Sequence, residues 1–227
     1  EHRPVLSSCL LAQDGGIPME MIHVTADGYV SDSVLGHRPL TDRSFVSVQW
    51  VNNETGAINS IAKIADVVKA RGALLHVDAA QAPGKIDVDL RSIPIDLLTI
   101  SAHKFYGPKG IGSLFVRRGT PLEPLIRGGH QELGRRAGTE NVPAIVGFGE
   151  ACRLVRTEPS QRARIGALRD HLERRLQDEI EDTIVIQPAG DRVDNTTIVA
   201  WDGLSNQLIL RALDAASFCG AGGSACP

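Results

Sequence analysis

Short apolar runs, typical of buried strands, recur along the first half of the chain. They occupy residues 45–50, 73–78, 95–100 and 111–116. Between the first two runs, Ile61, Ile64 and Val68 follow a spacing of three and four, which predicts an amphipathic helix that begins after Ser60 and ends at Gly72. A strand, a helix and a strand in this order predict a parallel pair, so we expect an α/β fold with a mostly parallel central sheet flanked by helices.

Other segments follow weaker patterns. We predict helices over 4–12 and 33–40 and a strand over 21–24. Beyond residue 140 the pattern changes to two helices (141–155 and 159–180), two short strands (183–186 and 196–201) and a helix (207–215). This change predicts that residues 1–150 belong to a large domain and residues 151–227 to an incomplete, smaller α+β domain.

Composition and charge describe a globular protein. Hydrophobic residues make up 42% of the 227 residues and charged residues 22%, which favours a packed core over disorder. The formal net charge of −3 gives no electrostatic reason to expect nucleic acid or an anionic membrane as a partner. Since no apolar run has membrane-spanning length and no leader is recognisable, we expect a cytoplasmic protein, or a protein of an organelle matrix if a targeting segment was removed.

The four cysteines do not indicate a metal site. Cys9, Cys152, Cys219 and Cys226 lack the paired spacing of zinc ligands. In an intracellular chain of this size, free thiols are expected rather than disulfides. One of the four is a candidate nucleophile.

Asp78 and Lys104 are the first candidates for chemistry. Each lies at or just past the carboxyl end of a predicted strand, where open parallel sheets bind their ligands. A lysine that forms a Schiff base and an aspartate that stabilises a protonated pyridine ring suit pyridoxal 5'-phosphate. The plain alternative is a salt bridge. Gln81, Ser101 and His103 lie nearby in sequence and are able to hydrogen-bond a phosphate and a phenolic oxygen.

Five ordered motifs extend this interpretation to the whole chain: VNNETG, HVDAAQ, SAHKFYGPKGIG, GGHQELGRRAGTENVP and GGSAC. In this order they resemble the cysteine desulfurases, a group of fold-type-I pyridoxal-phosphate enzymes that includes the selenocysteine lyases. The resemblance covers residues 1–227. Family members also carry a preceding segment with a phosphate-binding glycine loop and a following segment with a substrate-binding arginine, so we expect the chain to be an internal fragment.

The resemblance assigns cofactor contacts. It implies that Lys104 binds pyridoxal phosphate covalently and that Asp78 stabilises the protonated ring. Asn53 and Gln81 would face the phenolic oxygen. The phosphate would be held by three residues, of which the last belongs to the other subunit of a homodimer: Ser101, His103 and Thr139.

The resemblance also assigns two catalytic residues besides Lys104. His2 would stack on the cofactor and move protons, although a histidine at a helix start is by itself more often a surface residue. Cys226, in the motif GGSAC, would attack the substrate sulfur, carry it outward as a persulfide and serve as a candidate transient iron–sulfur ligand. Cys219 is its local rival, and Pro227 departs from the small hydroxyl residue that is common at this position.

The implied reaction converts L-cysteine to L-alanine, with sulfur passed to an acceptor for iron–sulfur cluster assembly or tRNA thiolation. A sulfur-acceptor or iron–sulfur scaffold protein is therefore the implied partner. Two alternatives stay open: a selenocysteine lyase, which shares these motifs, and a truncated, non-catalytic scaffold that binds sulfur-acceptor proteins.

Overall fold

The computed structural model describes residues 1–25, 28–157, 161–188 and 190–223. They contain these helices and strands, in chain order: α1 (Arg3–Asp14), α2 (Asp32–Gly36), β1 (Phe45–Gln49), α3 (Ile61–Lys69), β2 (Leu74–Asp78), β3 (Leu97–Ser101), β4 (Gly112–Val116), α4 (Val142–Thr157), α5 (Arg162–Glu179), β5 (Thr183–Ile186), β6 (Ile198–Trp201) and α6 (Asn206–Ala215). A 3₁₀ segment over Ala102–Phe105 follows β3 directly, and a second, over Gln131–Gly134, lies between β4 and α4.

The chain forms two compact units, each built from separate segments. One, called here the sheet unit, comprises Gly36–Trp50 and Ile61–Ser160. The other, called the second unit, comprises Glu1–Leu35, Val51–Ser60 and Gln161–Pro227. The units interleave along the sequence, so they do not correspond to the predicted domains 1–150 and 151–227, and that division stays a prediction.

The sheet unit contains a four-stranded sheet in the order β1-β2-β3-β4. The first three strands are parallel, and β4 is antiparallel to β3. The prediction of a mostly parallel sheet flanked by helices is therefore confirmed. Helix α3 connects β1 to β2 and buries Ile61, Ile64 and Val68, the residues whose spacing predicted it.

The predicted strand over 21–24 is wrong. These residues are outside any strand, and Met21 and Val24 are more than half exposed. Directly afterwards, the Thr25 amide donates to the Tyr29 carbonyl at 2.8 Å. An apolar run becomes a strand only where another backbone lies beside it to pair with, and local sequence does not reveal whether one does.

A polar row crosses one face of the sheet. His76 Nδ1 lies 2.8 Å from Ser47 Oγ on β1, and His76 Nε2 lies 3.4 Å from Thr99 Oγ1 on β3. The ring also stacks on Phe45, with 6.1 Å between ring centroids. Because side chains alternate along a strand, His76 and Asp78 project from the same face of β2.

Burial lowers the pKa of His76 below its usual 6.5, and the negative charge of Asp78 opposes this shift only in part. The folded state therefore favours the neutral ring. Since the unfolded chain binds a proton at a higher pH than the folded chain, lowering the pH favours unfolding.

In the second unit, β5 and β6 form an antiparallel pair, and α5 carries a buried carboxylate. Glu173 is 3% exposed and accepts hydrogen bonds from both terminal nitrogens of Arg192 at 2.8 and 2.7 Å. It also accepts hydrogen bonds from Thr197 and Gln187. Burial raises the pKa of Glu173, but the hydrogen bonds from Arg192 and Thr197 outweigh it, so the pKa lies below the usual 4.5.

We predict that His76→Gln removes part of the pH dependence of stability. In the wild-type chain, the free energy of unfolding should fall as the pH drops below about 6.5, by at most about 1.4 kcal/mol per pH unit for one proton. Urea unfolding from pH 7.5 to pH 5 should give a flatter profile for His76→Gln, whereas His23→Gln, a change at an exposed position, should keep the wild-type profile. Identical profiles for wild type and His76→Gln would contradict the assignment.

We predict that Glu173→Gln lowers the free energy of unfolding by about 3 kcal/mol at pH 7, because it leaves the guanidinium of Arg192, whose side chain is 11% exposed, without its main partner. Glu179→Gln, which removes an exposed ion pair on the same helix, should cost less than about 1 kcal/mol. The Glu173 contribution is present above pH 4.5 and is lost as the pH falls below it, so the two proteins should converge in acid. Equal losses for both variants at pH 7 would show that Glu173 is not the buried anchor.

Candidate functional site

Asp78 is held at the carboxyl end of β2. It is 8% exposed, and its backbone carbonyl accepts a hydrogen bond from the Trp50 amide at 2.8 Å. Its Oδ1 accepts a second hydrogen bond from the Ala80 amide at 2.9 Å. An aspartate that bonds the amide two residues on closes a local turn, so the carboxylate is fixed by its own backbone.

Lys104 lies on a tight turn that follows β3, called here the lysine turn (residues 101–107). The turn is closed by a hydrogen bond from the Gly107 amide to the Ala102 carbonyl at 2.9 Å, and Tyr106 has a φ of 67°. A Cβ at position 107 would lie 2.9 Å from both Cβ and the carbonyl oxygen of Ala102, so only glycine fits there. The Lys104 side chain is exposed at the tip.

Helix α4 packs behind the lysine turn. The rings of Phe105 and Phe148 lie 5.8 Å apart, and Phe105 is 4% exposed. A Cβ at Gly147 would come within 2.6 Å of Pro108 Cγ, so the helix and the turn are as close as a glycine permits. The position of the turn is therefore set by helix packing as well as by its own hydrogen bonds.

Asp78 and the lysine turn leave neighbouring parallel strands. Asp78 is opposite Thr99 in the register of β2 and β3, and the Ala79 amide donates to the Thr99 carbonyl at 2.9 Å. Both groups therefore lie at the same edge of the sheet, as the sequence predicted. The alternative of a plain salt bridge is not realised, since no ion pair joins Asp78 to Lys104 in the described part of the chain.

Ser101 and His103 flank this edge. Ser101 Oγ lies 3.2 Å from His103 Nδ1, the first side chain half-buried and the second exposed. A hydroxyl and an imidazole at this distance are able to share an anion as hydrogen-bond donors.

Gln81 has a partner that sequence reasoning missed. The ammonium of Lys85 donates a hydrogen bond to Gln81 Oε1. Burial lowers the pKa of Lys85, and the nearby charge of Lys104 lowers it further. In the sequence, the signal for this contact was that Lys85 follows Gln81 by four residues. That spacing does not predict a contact unless the conformation of the turn between the two residues is known.

Two predicted site residues, Asn53 and His2, belong to the second unit. Asn52, the neighbour of Asn53, accepts hydrogen bonds at Oδ1 from the amides of Glu54 and Thr55, both at 2.9 Å, and so closes a local turn. Asn53 is half-buried. His2 begins helix α1 with an extended backbone, and its side chain makes no capping hydrogen bond.

Thr139 lies in the sheet unit and is exposed. It belongs to the segment 128–141, called here the polar loop, which is irregular apart from a short 3₁₀ segment, as expected for an exposed loop. Hydrogen bonds that hold the loop include those from the Ala137 amide to the Ile126 carbonyl, from the Gly134 amide to the His130 carbonyl and from the Gly138 amide to the side-chain Oε1 of Gln131.

The cysteines differ in setting. Cys226 lies outside the described residues, so its predicted role stays a prediction. Cys219 is exposed, whereas burial raises the pKa of Cys152 and disfavours its thiolate. Among the described residues, no group of three or more metal-binding side chains comes together. Within the same ranges, none of the helices has both the length and the apolar character that crossing a membrane would require.

Comparisons with known proteins agree with the geometry. The "Cysteine desulfurase" of Gluconacetobacter diazotrophicus is 44% identical over 229 residues, covering all of this chain and 57% of that protein. A solved "NifS-like protein" superposes with a TM-score of 0.90 at 33% identity, covering 96% of this chain and 60% of the other. The structure "SspA in complex with cysteine" gives a TM-score of 0.78 at 33% identity, covering 99% and 62%.

These findings confirm the fold class and the resemblance drawn from the five motifs. The chain spans about three fifths of the length of the relatives that it matches. The family model for "Aminotransferase class-V" matches residues 1–227. This match covers every residue, and Asp78 and the lysine turn lie at the same edge of the sheet. The chain therefore belongs to the class-V aminotransferase family.

Proposed function

We propose that the protein is a pyridoxal-phosphate-dependent cysteine desulfurase. The reaction takes L-cysteine and a protein thiol to L-alanine and a protein persulfide. The substrate carbon–sulfur bond and the S–H bond of the protein thiol break, and a sulfur–sulfur bond and a carbon–hydrogen bond form. The observation that carries the proposal is the pairing of β2 with β3, which brings a nearly buried carboxylate and an exposed lysine to one edge of the sheet. The 44% identical relative supports the same reaction.

The side chains at this edge fit the chemical groups of the cofactor. Pyridoxal phosphate has a basic ring nitrogen, an aldehyde and a phosphate, and the edge offers a carboxylate at Asp78, an amine at Lys104, and a hydroxyl–imidazole pair at Ser101 and His103. When bound, the cofactor supplies an electron sink for the bonds that break at the substrate.

Each residue then has a distinct task at this edge. Asp78 stabilises positive charge on the ring nitrogen, which its fixed turn makes possible without reorganisation. Lys104 binds the cofactor and moves a proton at the α-carbon of the substrate. Ser101 and His103 bind the phosphate. Gln81 donates a hydrogen bond to the phenolic oxygen.

The remaining assignments follow the resemblance. His2 stacks on the cofactor ring and holds a proton, and Asn53 hydrogen-bonds the phenolic oxygen. Cys226 accepts the substrate sulfur as a thiolate. L-Cysteine as the substrate is supported by the similar protein whose structure is titled a complex with cysteine.

We propose a homodimer in which the polar loop reaches the partner subunit and Thr139 contacts its phosphate. The loop region exposes large apolar side chains: Leu133 is 92% exposed, and Leu125, shortly before it, is 96% exposed. Side chains of this size gain free energy when another surface covers them. The sulfur acceptor is proposed to be a scaffold or carrier protein for iron–sulfur cluster assembly or tRNA thiolation, in the cytoplasm.

We predict that Lys104→Ala abolishes the visible absorption that the wild-type chain develops with pyridoxal phosphate, because it removes the exposed amine that the lysine turn presents at the same edge of the sheet as Asp78. Lys109→Ala removes an exposed lysine five residues later and should retain the band. Titration with the cofactor, monitored by absorbance, measures both. An unchanged band in Lys104→Ala, or no band in the wild-type chain, would contradict the proposal.

We predict that Cys226→Ser lowers the rate of alanine formation from L-cysteine by more than about 100-fold, since it removes the nucleophile, while the visible band is retained. Cys219→Ser, the rival thiol, should keep the wild-type rate. An alanine assay with dithiothreitol as the final sulfur acceptor distinguishes the two, and the opposite ranking would reassign the nucleophile. The same assay with L-selenocysteine tests the alternative of a selenocysteine lyase.

A further inference from the structure

The turn after β2 carries a lysine that the roles above do not use. Lys85 follows Gln81 by four residues, and both side chains are half-buried. The Lys85 ammonium donates to Gln81 Oε1. A lysine that is half-buried gives up part of its hydration, so its contacts need to compensate for that loss.

Backbone geometry imposes this contact. The Ala82 amide donates to the Ala79 carbonyl at 2.9 Å, and the Lys85 amide donates to the Ala82 carbonyl at 3.0 Å, so the chain reverses twice within seven residues. Gly84 has a φ of 78°, a conformation that favours glycine, and a Cβ there would meet Val155 of α4 at 3.5 Å. The reversal brings the side chains of residues 81 and 85 together.

Lys85 also interacts electrostatically with the site lysine. Burial lowers the pKa of Lys85, and the charge of Lys104 lowers it further. A positive charge at this place favours the binding of an anionic cofactor and opposes the addition of another proton beside it.

The contact fixes the orientation of the Gln81 carboxamide. A carboxamide has a donor end and an acceptor end, and an ammonium group is a donor only. Lys85 therefore selects the acceptor Oε1 and directs the Nε2 donors elsewhere. If the carboxamide were rotated by 180°, its oxygen would face the phenolic oxygen that it is proposed to bind.

We propose that Lys85 is a positioning residue, which holds Gln81 so that its N–H₂ group donates to the phenolic oxygen of the cofactor. The inference rests on the proposed function and deepens it. Lys85 acts through Gln81 and through charge and does not react.

The first test needs no cofactor. In the cofactor-free chain, the NMR signals of the Gln81 side-chain amide should move when Lys85 is changed to Met, and they should keep their wild-type positions in Lys63→Met, a change at an exposed lysine on α3. Unmoved signals in Lys85→Met would overturn the contact, whatever the protein's activity. Should Lys85→Met fail to fold, Lys85→Gln removes the same charge with a polar side chain.

The second test uses the cofactor-loaded chain and the midpoint of the pH titration of its visible band. Lys85→Met should raise this midpoint by roughly one pH unit or more, since a unit charge within about 12 Å produces a shift of at least that size at an effective dielectric constant of about 20. Losing the positive charge of Lys85 raises the midpoint because protonation becomes easier. Losing the hydrogen bond from Gln81 also raises it, because the phenolic oxygen becomes more basic. Lys85→Arg, which keeps the charge and the donor, should restore the wild-type midpoint.

A change in the Gln81→Ala background separates positioning from charge alone. There, Lys85→Met should shift the midpoint less than it does in the wild-type background, since no carboxamide is left to orient. An equal shift in both backgrounds, or no shift in either, would overturn the positioning role. If the wild-type chain forms no visible band, the proposed function fails, and the NMR comparison still decides whether Lys85 holds Gln81.

Discussion

The parallel pairing of β2 with β3 is the constraint on which the site depends. Adjacent strands lie about 4.8 Å apart, so groups at their carboxyl ends are neighbours without any special arrangement of side chains. In this chain the register places Asp78 opposite Thr99, and the Ala79 amide extends the ladder one residue past β2. An antiparallel pairing of the same strands would have put Asp78 and Lys104 at opposite edges of the sheet.

The two principal side chains of the site differ in mobility. The carboxylate of Asp78 is held in one position, whereas the long side chain of Lys104 extends into solvent from a fixed turn. Asp78 is nearly buried and held by its own turn, whereas Lys104 projects from the tip of a tight turn. That turn has little freedom, because Gly107 is in contact with Ala102 and helix α4 packs against Pro108. A long, exposed side chain on a rigid base is suited to binding a cofactor and moving a proton beside it.

Charge at this edge combines a carboxylate with two lysines. The charge of Lys104 lowers the pKa of Lys85, and burial favours the neutral form of His76, on the same face of β2 as Asp78. Two lysines on the turns that follow β2 and β3 suit a ligand that carries a phosphate, while a neutral His76 leaves the carboxylate charge available to a ring nitrogen. Hydrogen bonds between neighbouring side chains, such as that from Lys85 to Gln81, then determine which end of a polar group faces the ligand.

The sequence by itself determined the elements with strong periodicity and the residue types at the site. The three-and-four spacing of α3 and the apolar runs of β1 to β3 were sufficient, since burying one face of each element is a local requirement of its own pattern. The apolar run of β4 predicted the strand although its residues are exposed or half-buried. Tertiary structure decided what depends on contacts between distant or turned segments. Residues 21–24 do not form a strand, and the Asn52 side chain closes a local turn. A chain reversal at Gly84 brings Lys85 into contact with Gln81. The pattern of apolar residues indicates which side chains favour burial. It does not indicate which groups from other segments they will contact, because those contacts depend on the tertiary structure.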